Sequence, residues 1–201
     1  KSMEWTPVGN PETQLQKAGK IVRKYTASAS GLILTNTVTM EFDGCVQFDL
    51  AVTADSNTTL ADVGLDVPFS RKVATYMAGA KMSGGYRPAS HQWAFESWDT
   101  SSSKIWIGEV NAGMQFKATE GHGTLAEQGD AVLVSSRVDA TPLKAGQTRH
   151  FNFRLLITPF KPITNVHWTT RVGNARKKDA MGRPTIVHIH HDSHLLVSFH
   201  Y

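Results

Sequence analysis

Four histidines crowd the end of the chain. His188, His190, His191 and His194 stand in the segment Val187-His-Ile-His-His-Asp-Ser-His194, with Asp192 among them. On a strand, His188 and His190 point to one face, and His191 and His194 can meet on a following turn, so their imidazoles could hold a divalent metal. A centre of that kind draws ligands from further strands, so a strand without metal is the preferred reading and no cofactor is expected. Glu96, Asp99 and Glu109 could supply an acid and a base or nucleophile for glycoside cleavage. Such pairs work only at defined separations, and carboxylates in turns or on the surface are the simpler reading. Asp43, Asp49 and Asp66 read as turn and strand-edge polar residues. Tyr86, Trp93, Trp98 and Trp106 could form a stacking platform for sugar rings, whose C–H faces pack on aromatic surfaces. Plugging one end of a sandwich, or facing a neighbouring domain, is the competing role for these rings, and the favoured one. Serine hydrolase chemistry is not credible, because no Gly-x-Ser-x-Gly elbow occurs and Ser90-His91 has no orienting partner.

The elements that must position these groups are strands. Phe151, Phe153, Leu155 and Ile157 alternate with Asn152, Arg154, Leu156 and Thr158, giving one apolar and one mixed face, and Pro159 and Pro162 then stop the ladder. Ile105, Ile107, Met114 and Phe116 repeat the alternation on either side of Asn111-Ala-Gly113, which predicts a hairpin or a bulged pair. Residues 19–40 predict another hairpin, with Thr35-Asn36-Thr37 as its turn, and 41–53 a long strand with a turn or bulge at Asp43-Gly44. Residues 60–68 and 131–138 predict further strands, and 73–78 a helical turn or two. Residues 83–103 read as a Gly-, Pro- and Ser-rich excursion that carries Tyr86, Trp93, Phe95 and Trp98.

Composition fits this picture. The chain has 201 residues, enough for one all-β domain, and a formal net charge of +4 with 19% charged residues. Its basic run Arg171-Val-Gly-Asn-Ala-Arg-Lys-Lys178 has no interleaved aromatics, so nucleic acid is not an expected partner. No apolar run is long enough for a membrane span. Cys45 is the lone cysteine, so no internal disulfide can form. Asn57-Thr58-Thr59 is an N-glycosylation sequon in a polar turn, which would make a secreted, extracellular protein a glycoprotein at Asn57.

Six segments carry a resemblance: Glu41-Phe-Asp-Gly44, Ser83-Gly-Gly-Tyr-Arg-Pro88, Ile105-Trp-Ile-Gly-Glu-Val-Asn-Ala-Gly113, 151–162, Trp168-Thr-Thr-Arg171 and Val187-His-Ile-His-His191. In this order the chain resembles a glycoside-hydrolase-like family related to the family 123 N-acetylgalactosaminidases, in which a β-sandwich precedes a (β/α)8 barrel. The resemblance implies an all-β fold: an antiparallel, supersandwich-like β-sandwich with short helical turns and a C-terminal remnant strand of the barrel. It implies a sandwich domain over 1–165, and over 166–201 a connector and the start of an absent barrel, a truncated arrangement in which the usual catalytic acids are missing.

The expected function is therefore a non-catalytic scaffold or carbohydrate-contacting domain of a glycoside-hydrolase-like protein, with no hydrolysis by this chain alone. Two alternatives stand beside it. One is a portion of an active glycosidase whose barrel is missing or supplied separately; the other is a metal-binding protein built on the histidine cluster. Expected partners are carbohydrate, and a protein partner or a second copy covering the barrel-facing surface.

Overall fold

The computed structural model describes residues 4–61, 63–95 and 104–159. These form sixteen strands and no helix. The first five are β1 (Thr6–Pro7), β2 (Glu12–Lys17), β3 (Lys20–Ala29), β4 (Leu32–Glu41) and β5 (Cys45–Ala54). Then come β6 (Thr58–Leu60), β7 (Val63–Ser70), β8 (Tyr76–Gly79), β9 (Met82–Tyr86) and β10 (Ser90–Ala94). The chain continues through β11 (Lys104–Gly108), β12 (Gly113–Ala118), β13 (His122–Gln128), β14 (Ala131–Val138), β15 (Thr141–Leu143) and β16 (Thr148–Thr158). All pairings are antiparallel.

Ten strands make one large sheet in the order β1-β3-β4-β5-β16-β12-β11-β8-β9, with β2 also paired to β3. Against one face of it lie a four-stranded sheet, β10-β13-β14-β7, and a two-stranded one, β15-β6. Met77, Ile105, Ile107, Phe116 and Ala118 from the large sheet meet Trp93, Phe95, Leu125, Val132 and Val134 from the four-stranded one in the main core. A second core joins Leu32, Val52, Ala54 and Phe151 to Leu60 and Leu143 of the short sheet. The antiparallel sandwich expected from alternation is therefore present, with apolar residues alternating inward as the pleat requires.

Four local expectations are corrected. The turn after β3 falls at Ser30-Gly31, where Gly31 has φ +78°, while Thr35, Asn36 and Thr37 lie inside the continuous strand β4. β-Branched threonines suit a pleated strand, and positive φ suits glycine. No helical turn occupies 73–78: Ala74 N–H donates to Ser70 O at 3.2 Å to close a turn, and β8 follows, paired with β9 and β11. The described part of the 83–103 excursion consists largely of strand, in β9 and β10. Pro68 does not end its strand but sits within β7, at the edge of the four-stranded sheet, where a missing N–H is tolerated.

Candidate functional site

Because Ile105 and Ile107 point into the core, Lys104 and Trp106 point to the opposite, outer face of the large sheet. The same parity carries across the register. Trp106 pairs with Ala78 on one side and Gln115 on the other, while Gly108 pairs with Tyr76, and Tyr76 with Tyr86. Tyr86, Tyr76 and Trp106 therefore share one face. The two tyrosine rings lie 5.1 Å apart between centroids, and the hydrogen bond with Tyr86 raises the Tyr76 phenol above its ordinary value of 10.0.

The indole of Trp106 lies over two glycines. A Cβ added to Gly113 would stand 2.2 Å from Trp106 Cζ2, and one added to Gly108 would stand 2.7 Å from the same atom. With no side chains beneath it, the ring spreads across β12 and donates its Nε1 hydrogen to Thr158 Oγ1 on β16, at 2.9 Å. The result is a half-buried ring laid on backbone, with the exposed Tyr86 on the same face two strands away.

Beyond Trp106 the same face turns polar. Asp49, on the interior strand β5, accepts hydrogen bonds from Gln47 Nε2 at 3.1 Å to both oxygens and from Asn152 Nδ2 at 2.5 Å. Arg154 Nη2 donates to Gln47 Oε1 at 2.8 Å, and Lys20 Nζ to Glu41 Oε1 at 3.1 Å. Gln115 and Lys117 are buried at 4% and 2% exposure, although they face away from the core. Asn152 Oδ1 is buried and accepts no hydrogen bond. A cavity of about 290 Å³ opens among Arg154, Leu156, Gln115, Gln47, Glu41 and Lys20. Cys45 also lines it, and burial raises that thiol above its ordinary 9.0. Register Trp106–Gln115–Leu156–Cys45 crosses three strand spacings, about 14 Å in all, a length suited to two or three linked sugars. A flat ring next to amides, a carboxylate and a guanidinium can take the apolar face and the hydroxyls of a pyranose together.

The four expected platform residues separate. Tyr86 and Trp106 share the outer face, whereas Trp93 lies in the core at 7% exposure, over Gly123 and edge-on to Phe95 at 5.7 Å. Trp98 lies outside the described residues, as do His188, His190, His191 and His194, the carboxylates Glu96 and Asp99, and the connector at 166–201. Among the described residues no three His, Cys, Asp or Glu side chains are grouped to hold a metal. Glu109 sits in the β11–β12 turn, where its N–H donates to Ala112 O at 2.7 Å. Asn57 is exposed in a bend and its Oδ1 accepts from Ala145 N–H at 3.0 Å. Asp43 holds the β4–β5 turn by accepting from Cys45 N–H at 2.9 Å, and Asp66, on the edge strand, pairs with Arg137 at 2.7 Å. Asp49 is no edge residue: it is a hub in the middle of the large sheet. Tyr76, Gln47, Gln115 and Arg154 were not singled out in the sequence, although polar residues two apart on each of three strands, Gln47/Asp49, Gln115/Lys117 and Asn152/Arg154, are a signal for such a face.

A family model for the third domain of glycoside hydrolase 123 matches residues 1–122 and 117–159. The chain belongs to this family. As a member, it is a carbohydrate-related domain of a glycoside-hydrolase-like protein. Among solved structures, a galactose mutarotase related enzyme of Lactobacillus acidophilus aligns with a TM-score of 0.52 at 9% identity, covering 78% of this chain and 74% of that one. A protein of Escherichia coli assigned as an aldose 1-epimerase aligns with a TM-score of 0.48 at 11% identity, covering 80% of this chain and 69% of that one. The first likeness is one of fold, a galactose mutarotase-like β-sandwich. No curated protein matches the sequence.

Proposed function

We propose that this glycoside hydrolase 123 domain is a non-catalytic carbohydrate-contacting module, which holds a glycan along the outer face of its ten-stranded sheet. The observation that carries this reading is the Trp106 indole laid flat over Gly113 and Gly108, with the exposed Tyr86 on one side and the Gln47–Asp49–Asn152–Arg154 lattice on the other. Aromatic stacking supplies affinity there, and the fixed amides and charges select hydroxyl orientation. Among the described residues, the carboxylates that line the cavity are committed to structure, Glu41 to Lys20 and Asp43 to the turn, and Asp49 on the same face is held by two amides. That arrangement supports binding over hydrolysis.

The test is titration of the chain with oligosaccharides found by a glycan array, beside a hydrolysis assay. Trp106→Ala is expected to weaken binding by about tenfold or more, Trp106→Phe by less, and neither protein is expected to release sugar. Unchanged affinity in Trp106→Ala would remove the platform, and sugar release abolished by one carboxylate substitution would remove the non-catalytic assignment.

A further inference from the structure

We propose that the cavity beyond Trp106 seats the last sugar of a neutral glycan, and that the buried amide of Gln115 reads a pair of its hydroxyls. This inference rests on the outer face being the carbohydrate site, and adds which part of a glycan that site takes. Gln115 stands directly opposite Trp106 in register and forms one wall of the cavity. It is 4% exposed, and its side-chain amide enters no hydrogen bond among the described residues. A buried amide without a partner costs stability, so the fold by itself gains nothing from it. A ligand that brings a donor and an acceptor into the cavity recovers that cost.

The charged walls are already engaged. Lys20 Nζ donates to Glu41 Oε1 at 3.1 Å, Asp43 accepts from the Cys45 N–H at 2.9 Å, and Arg154 Nη2 donates to Gln47 Oε1 at 2.8 Å. What is left to address a ligand is neutral: the Gln115 amide, with two N–H donors and a carbonyl acceptor, and the Thr39 hydroxyl. Adjacent sugar hydroxyls, each both donor and acceptor, match an amide of that kind. The cavity also limits what enters. Its volume of about 290 Å³ is near the lower bound of sites that enclose a small molecule, room for about one pyranose. On the side away from Trp106 it is bounded by the Lys20–Glu41 pair and by the β4–β5 turn that Asp43 holds. A glycan stacked on the indole therefore places one further unit in the cavity and cannot run on, so the site reads a chain end.

The experiment takes the best neutral oligosaccharide from the array and titrates the whole chain with it. A length series of the same linkage follows, with forms O-methylated on the terminal unit at one end or the other. The expected result is that affinity stops rising at two or three units, and that methylation weakens binding about tenfold at one end and little at the other. Gln115→Met keeps the side-chain length and removes the amide. It is expected to weaken binding about tenfold, to lose most of the methylation penalty, and to leave Tm unchanged or higher. Affinity that climbs with every added unit, indifference to methylation at both ends, or a lowered Tm in Gln115→Met would overturn the proposal while leaving the carbohydrate site standing, and so would an array whose binders are all acidic. An array without binders would overturn both.

Discussion

Trp93 and Trp106 each lie on a glycine, with opposite consequences. Trp93 over Gly123 is enclosed between the sheets, whereas Trp106 over Gly113 and Gly108 is laid on the outer face. In both places the missing Cβ is what lets an indole approach the backbone, so each glycine is fixed by its neighbour's ring. Gly113→Ala would put a methyl 2.2 Å from the Trp106 ring. It is expected to destabilise the protein by about 1–3 kcal/mol and to lift the indole off the sheet. Thermal melts and a shift in tryptophan emission would check this, and an unchanged melt would show that the ring does not lie there.

At the scale of the element, strand β11 divides its duties by parity, with Ile105 and Ile107 inward and Lys104 and Trp106 outward. β10 makes the other choice and sends Trp93 and His91 inward, where the rings stack 5.8 Å apart. Two tryptophans that look alike in the sequence should therefore respond differently. Trp93→Ala is expected to cost about 3–5 kcal/mol of stability through the cavity it leaves, and Trp106→Ala far less while removing glycan binding. Denaturant unfolding of both variants beside binding titrations separates the roles; equal stability losses would contradict the assignment of faces.

At the scale of the whole molecule, the proposed site depends on strands remote in sequence being neighbours in space: β5 beside β16, and β16 beside β12. A ligand spanning them binds only the folded sheet, so at 100 times its dissociation constant it should add about 2.7 kcal/mol and raise Tm by about 5–10 °C. A thermal shift that persists in Trp106→Ala would place the ligand elsewhere.

The sequence by itself determined the family, the all-β class, the β11–β12 hairpin, whose turn closes over Glu109–Ala112, and the inward set Phe151, Phe153 and Leu155, because strand alternation and turn chemistry are local properties. It misplaced the turn at Thr35–Thr37 and the helical turn at 73–78, where short-range signals were weak and cross-strand pairing prevailed. Only the tertiary structure decided that Trp93 is core and Trp106 surface, and that Asp49 is a hub. The physical reason is register: which side chains share a face across strands depends on pairings between residues far apart in the chain, and no local pattern encodes them.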